Sequence, residues 1–267
     1  MMTTLAFPTL SVVFTGISGV IAFALPIVLA VLCCRRSRNA LFAVAVGAVC
    51  FTLGAIVLES AFHQLVLAFI PGLTENALLY IVYGCLAAGL FEETARLIGL
   101  RFLCKRDASP VTGFSYGVGH GGIEAILLVG VTVLNNFIIM LTVNGGSVDS
   151  LLTGATEEQS SLVITQLEQL AALPSTTFLA AGVERIIAIS MHIALSVLIW
   201  MVVTKRLPMW GYPLSIALHA VSNVPAAMYQ TGMIGLWTSE LLTAVLVVCI
   251  VFLVRGFYRA TDPAKTV

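Results

Sequence analysis

Residues 10–34, LSVVFTGISGVIAFALPIVLAVLCC, contain no charged side chain and are followed at once by the basic string Arg35-Arg36-Ser37-Arg38. About 20 apolar residues are enough for a helix to cross the ~30 Å hydrocarbon core of a bilayer, so this stretch predicts a membrane span. The rest of the chain is similar: 59% of its 267 residues are hydrophobic, 10% are charged, and the mean hydropathy is +1.04. Soluble domains carry about 25% charged residues. We therefore predict an all-α, polytopic membrane protein.

Seven apolar segments are each long enough to span a bilayer, and they predict one transmembrane helix bundle over residues 1–267. These segments are residues 10–34, 40–58, 77–103, 111–143, 176–203, 210–229 and 234–254.

The basic residues predict an orientation. Ten of the thirteen Lys and Arg residues follow the first, third, fifth and seventh segments, whereas the connections on the opposite side carry only acidic charges. The positive-inside rule then places the N-terminus outside and the C-terminus in the cytoplasm. The long outer connection, residues 144–175, carries apolar residues at helical spacing that predict an amphipathic helix on the outer surface. These apolar residues are Leu162, Val163, Leu167, Leu170 and Ala171.

The charge balance also bears on partners. The formal net charge is zero and no long basic run is present, so we expect no nucleic-acid partner. Membrane lipid is the expected surrounding partner.

Ionisable residues inside the apolar segments carry the functional prediction, because each costs about 2.5–3.5 kcal/mol at the centre of a bilayer. A rise of 1.5 Å per residue places Glu93 about 18 Å from the predicted cytoplasmic end of its helix. The same count gives about 15 Å for His120, 20 Å for His192 and 14 Å for His219. Four polar groups on four helices thus lie within about 6 Å of one level, which predicts a common site.

The third segment contains GLFEETAR at residues 89–96. Neighbouring glutamates on a helix point about 100° apart, so Glu92 and Glu93 cannot face the same atom. One could activate a water while the other pairs with Arg96. A Glu–Arg pair that only ties two helices together is the alternative.

The other segments hold polar pairs at spacings that share a helix face, four or seven residues apart. These pairs are His120 and Glu124, Arg185 and His192, and His219 and Asn223. Arg185 and its neighbour Glu184 lie farther out than the histidines, so we expect them to support the site. Glu59 and His63 lie at the outer end of the second segment, and Glu240 is also nearer the outer side; we exclude all three from the site.

These motifs, in this order, resemble the CAAX-protease and bacteriocin-immunity superfamily, which includes the type II CAAX prenyl endopeptidases and PrsW. The matching elements, over residues 91–223, are Glu92-Glu93-Thr-Ala-Arg96, Tyr116-xxx-His120, His120-xxx-Glu124, His192 and His219-xxx-Asn223. The Gly-His-Gly-Gly-Ile-Glu string and the Glu-Arg pair before His192 are most similar to the YhfC branch, described as intramembrane peptidases of metallo- or glutamic type. The EExxR spacing is closer to PrsW than to the EExxxR of the CAAX endopeptidases, so a prenylated substrate does not follow.

The resemblance implies that residues 77–230 form a catalytic core that hydrolyses peptide bonds of a membrane-associated substrate in a bacterial plasma membrane. Glu92 or Glu93 would be the general base, His120 would position the water with His192 nearby, and His219 with Asn223 would stabilise the oxyanion. The supporting residues would be Arg96, Glu124 and Arg185. In the rival mechanism, zinc is bound by His120, His192, His219 and Glu124. The spacing contains no HExxH motif and does not choose between the two.

Two other functions fit the same residues. Buried carboxylates and histidines also form proton relays, so a proton-coupled transporter is one alternative. A catalytically inactive, peptide-binding membrane scaffold is the other, and a closed, fully ion-paired site would favour it.

Overall fold

A computed structural model describes residues 5–261, and every regular element within that range is helical. The eight main helices are α1 (Thr9–Arg36), α2 (Ala40–Phe69), α3 (Ala77–Leu103), α4 (Pro110–Asn144), α5 (Glu157–Ala171), α6 (Ser175–Val203), α7 (Gly211–Gln230) and α8 (Leu236–Ala260). π-Helical stretches lie within α2 at Thr52–Glu59 and within α4 at Ala125–Gly130. Two short helices, the 3-10 helix Pro71–Glu75 and the four-residue α-helix Val148–Leu151, lie in the connections.

Six of these helices, α1, α2, α3, α4, α6 and α8, are long and apolar enough to cross a membrane. The helix α7 corresponds to the sixth predicted segment, and its 20 residues match the length of a span. The predicted all-α, multi-pass architecture with about seven spans is therefore confirmed.

The second helix is longer than predicted. The apolar run ends at residue 58, but α2 continues to Phe69. His63 lies 3.2 Å from Glu59 through Nε2 and 2.6 Å from the Tyr83 hydroxyl through Nδ1. Because these contacts satisfy the polar groups that interrupt the apolar run, the helix does not have to end there.

The helix α6 forms the centre of the bundle. In its most apolar 18-residue window 67% of the residues are buried, against 17–33% for the other five apolar helices. It packs against α1, α4 and α8 and also contacts α3 and α7. The largest side chain of the core, Trp200, is fully buried on α6 and donates from Nε1 to the carbonyl of Ala108 over 3.1 Å.

Glycines let α4 approach its two neighbours closely. A Cβ on Gly119 would overlap the backbone carbonyl of Val44 in α2, and one on Gly117 would lie 2.6 Å from the Cα of Ile193 in α6. The α4 backbone therefore lies directly against both helices. His120, which follows Gly119, is consequently buried in the interior.

The predicted amphipathic helix is present as α5. Thr156 caps its N-terminus in a capping box with Gln159. Leu167 is buried, whereas Leu162, expected on the same apolar face, is 60% exposed. The buried residues in the same apolar cluster as Leu167 are Phe7, Met140, Val143 and Phe178.

Candidate active site

Four helices bring the predicted polar residues to one place inside the bundle. Helix α3 supplies Glu92, Glu93 and Arg96, α4 supplies His120 and Glu124, α6 supplies Arg185 and His192, and α7 supplies His219 and Asn223. All except Asn223, which is half-buried, are buried.

Glu92 lies at the centre of this group. Its Oε2 is 2.9 Å from Nε2 of His120 and 4.0 Å from Nδ1 of His192, and its Oε1 is 3.8 Å from Nε2 of His219. The His120 and His192 rings are 4.8 Å apart between centroids, and the His192 and His219 rings are 5.5 Å apart. Three imidazoles from three helices thus surround one carboxylate.

Glu93 has different surroundings and is fully buried. It accepts hydrogen bonds from Nε of Arg96 over 3.0 Å and from the hydroxyl of Ser215 over 2.5 Å, and it lies 2.8 Å from Nδ1 of His219. Glu93 is therefore the glutamate that pairs with Arg96 and with one histidine, His219, whereas Glu92 lies among all three histidines. Sequence reasoning missed Ser215, although its position four residues before His219 puts both on one helix face.

Arg96 fixes the orientation of His192. Its Nη1 donates to the backbone carbonyl of His192 over 2.9 Å and contacts the Ser196 hydroxyl, and its Nη2 lies 3.0 Å from Nδ1 of His192. Because a guanidinium only donates, Nδ1 accepts this hydrogen bond and Nε2 carries the proton.

Glu124 holds His192 from the other side. One oxygen contacts Nε2 of His192, and the other accepts a hydrogen bond from Nη1 of Arg185 over 2.9 Å. Arg185 also pairs with Glu184. The expected supporting role of Arg185 thus corresponds to a chain of contacts, Glu184–Arg185–Glu124–His192, which ends on an imidazole of the site.

A cavity of about 80 Å³ lies beside Glu92, large enough for several water molecules. His192, His219 and Asn223 line it, and so does Glu240 of α8, which the depth argument excluded. The site therefore borders an internal space rather than being closed on itself. His63 instead contacts Tyr83 and Glu59.

The helix α4 changes its hydrogen-bonding pattern next to the site. The π-helical stretch Ala125–Gly130 begins directly after Glu124. Such stretches are rare and are frequently found at functional sites. The irregularity therefore lies next to Glu124, the residue that contacts His192.

The donor set could hold a metal ion, and histidine and carboxylate side chains are common ligands of zinc. Glu92, His120 and His192 each offer a ligand atom, and these three atoms lie within 4.8 Å of one another. Nδ1 of His120 is buried and has no hydrogen-bond partner among the described residues. Metal-binding histidines commonly hold a carboxylate with their second nitrogen, as His192 does with Glu124. His219 shows the same arrangement with Glu93, outside the three-atom group.

The sequence matches the YhfC intramembrane metalloprotease family over residues 5–247. The chain belongs to this family. It is also similar to the uncharacterized membrane protein YhfC of Bacillus subtilis (strain 168), with 40% identity over 228 residues that cover 84% of this chain and 87% of the relative. No solved structure matches the chain.

The comparisons confirm the YhfC resemblance and extend it beyond residues 91–223 to nearly the whole chain. Together with the apolar helices, they establish a multi-pass integral membrane protein, and the Bacillus relative agrees with a bacterial membrane. The family description supports a protease in which a metal takes part.

Proposed function

We propose that this protein is a zinc-dependent intramembrane peptidase that hydrolyses peptide bonds of membrane-associated substrates. The observation that carries the proposal is the set of three imidazoles around Glu92, beside a cavity with room for water inside an apolar bundle. Membership of a family described as intramembrane metalloproteases supports the same reaction class.

Glu92, His120 and His192 are the residues that would hold the zinc ion, since their ligand atoms lie closest together. Three protein ligands are typical of catalytic zinc, which keeps a position open for water or substrate. Bound there, zinc would supply a Lewis acid that polarises the scissile carbonyl and acidifies a water. Nδ1 of His192 has one lone pair, so its hydrogen bond from Arg96 and metal binding at this nitrogen exclude each other.

His219 is placed to move the proton. Glu93 holds its Nδ1 at 2.8 Å, which leaves Nε2 facing Glu92 at 3.8 Å and the cavity. A histidine fixed by a carboxylate at one nitrogen can take a proton with the other and return it to a leaving amine. Asn223 lines the same cavity, where its side-chain amide would donate to the developing oxyanion.

The same residues also define the metal-free form of the mechanism. Of the two adjacent glutamates, Glu92 borders the cavity, whereas the oxygens of Glu93 are occupied by Arg96, Ser215 and His219. If no metal takes part, Glu92 is therefore the general base. The cavity leaves room for water beside Glu92, whereas a closed, fully paired site is expected of an inactive scaffold.

The test is proteolysis by the purified full chain in liposomes that also contain a mixture of single-span membrane proteins. New peptide termini would be counted by mass spectrometry for the wild type, Glu92→Gln, His219→Ala and the control His63→Asn, which changes the histidine outside the site. We expect the wild type and the control to produce the same termini. Both site variants should produce them about 100-fold or more slowly.

Equal yields from all four proteins would contradict a peptidase centred on Glu92. Proton-driven solute uptake that is lost in Glu92→Gln, without any new termini, would instead favour the transporter.

A further inference from the structure

A second cavity lies on the lipid-facing side of the bundle, away from the polar site. Within the described residues, α1 and α8 both pack against α6 but make at most marginal contact with each other. The gap between them is a groove of about 1170 Å³, and the start of α4 also lines it. The groove is many times larger than the cavity beside Glu92 and has a different lining.

The lining of the groove is apolar along most of its length. On α6 it runs from Ile186 to Val197, a stretch of twelve residues that rises about 16 Å. This distance is about half of the ~30 Å hydrocarbon core, the depth of one leaflet. Aliphatic side chains of α1 and α8 form the two walls, among them Leu29 and Val251, and Phe114 of α4 lies at one side.

Positive charge is confined to one end of the groove. Arg35 and Arg36 at the end of α1 and Arg255 near the end of α8 are exposed and are the only charged residues in the lining. Tyr258 lies at the same end, where an aromatic ring with a polar tip is favoured at the membrane interface. This is the basic end of the bundle, which we predict to face the cytoplasm.

We propose that this groove binds one phospholipid with an anionic headgroup. Its acyl chains would lie along α6 between α1 and α8, and its phosphate would contact Arg35, Arg36 and Arg255. The groove is about as long as one leaflet is deep, which suits the acyl chains of a lipid. Its three arginines are complementary to an anionic headgroup, and no carboxylate lines the groove to repel it. Basic pockets between transmembrane helices bind anionic lipid headgroups by the same combination.

The groove and the polar site are separated by the central helix. Ile189 and Ile193 of α6 line the groove, whereas His192 of the same helix lines the polar cavity. A lipid in the groove would therefore pack on the side of α6 opposite the site. The proposal does not depend on proteolysis and can be tested on its own.

The test is lipid binding to the full chain in mild detergent, measured by native mass spectrometry with palmitoyl-oleoyl phosphatidylglycerol and with the zwitterionic phosphatidylcholine of the same chains. We expect one phosphatidylglycerol to bind in preference to phosphatidylcholine. In the triple variant Arg35→Gln, Arg36→Gln, Arg255→Gln, binding should weaken by roughly 100-fold, since each basic residue contributes about fivefold.

The matched control is Arg38→Gln, Lys105→Gln, Lys205→Gln, which removes the same charge from the same end but outside the groove lining. It should change binding by less than about fivefold, the contribution of one such residue. The variant Ser190→Trp keeps all charges and fills the apolar part, so it should also prevent binding. Monodisperse elution and an unchanged helical circular dichroism spectrum would show that each variant is folded.

Four results would overturn the proposal. Two of them concern the lipids and variants: equal binding of the two lipids, and an equal loss of phosphatidylglycerol binding in both triple variants. The other two concern other ligands: complete inhibition of phosphatidylglycerol binding by inorganic phosphate alone, and a copurified peptide in the groove that phosphatidylglycerol does not displace.

Discussion

Two adjacent glutamates illustrate how much a residue's role depends on its neighbours. Glu93 is surrounded by hydrogen-bond donors, among them Arg96 and Ser215, whereas Glu92 faces imidazoles and a cavity. Helical geometry predicts that the two side chains diverge but not which one meets Arg96. That choice depends on where α6 and α7 lie, and this information is spread over the whole sequence.

This contrast gives a prediction for the pair of variants Glu92→Gln and Glu93→Gln. Loss of the Glu93 carboxylate leaves Arg96 as a buried charge without its anion, which should lower the free energy of unfolding by about 3–5 kcal/mol. Glu92→Gln removes the charge but keeps an amide oxygen that can accept from His120, so it should cost at most about 1 kcal/mol. The proteolytic activity of Glu92→Gln should nevertheless fall about 100-fold or more.

Reversible unfolding in mixed micelles of dodecyl maltoside and SDS would measure the stabilities. Equal destabilisation by the two variants would mean that Glu93 does not neutralise Arg96.

At the scale of helices, most of the fold could be predicted from apolar runs and basic flanks. The end of α2 could not, because Glu59 and His63 interrupt the run and Tyr83, which contacts His63, lies on another helix. Glu240 was excluded for a related reason: depth along α8 alone does not show that its side chain points toward the site's cavity.

The close contact between α2 and α4 predicts different effects for two glycine substitutions. A Cβ on Gly119 would overlap the carbonyl of Val44, a backbone atom that can move only with its helix, whereas a Cβ on Gly84 meets nothing within 4 Å. We expect Gly119→Ala to destabilise the protein by about 1–3 kcal/mol. Gly84→Ala should be neutral or stabilise it by up to about 1 kcal/mol, because alanine favours a helix.

The same micellar unfolding assay applies to both variants. If Gly119→Ala were as stable as Gly84→Ala, the two helices would not be in backbone contact.

For the whole molecule, the positive-inside rule predicts which ends face the cytoplasm. In a background where the exposed and half-buried cysteines Cys34, Cys50, Cys104 and Cys249 are changed to serine, one accessible cysteine would be placed either at Ser161 in α5 or at Lys205 after α6. We expect a membrane-impermeant maleimide to label the cysteine at 161 in intact bacteria and the cysteine at 205 only after permeabilisation.

Labelling of position 205 in intact cells, with protection of 161, would reverse the predicted topology. Labelling of both positions would mean that the number of spans between them is not the predicted one.

The convergence of the polar residues was the most informative prediction at this scale. Counting residues from the helix ends predicts that Glu93, His120, His192 and His219 lie at one depth. In the structure the distances between neighbouring side chains of this group are short. Depth carries no information about rotation around each helix axis. The sequence therefore pointed to the group of residues, whereas the contacts of each side chain required the packed bundle.

The most direct test of the central claim is the metal content of the purified protein. The full chain, prepared without chelator, would be analysed by plasma mass spectrometry as wild type, as His120→Asn with His192→Asn, and as the control His63→Asn. We predict about one zinc per chain in the wild type and the control, and less than about one tenth of that in the double variant. A folded wild type without bound metal that still cleaves membrane proteins in the presence of chelator would contradict the zinc site and leave Glu92 as the general base.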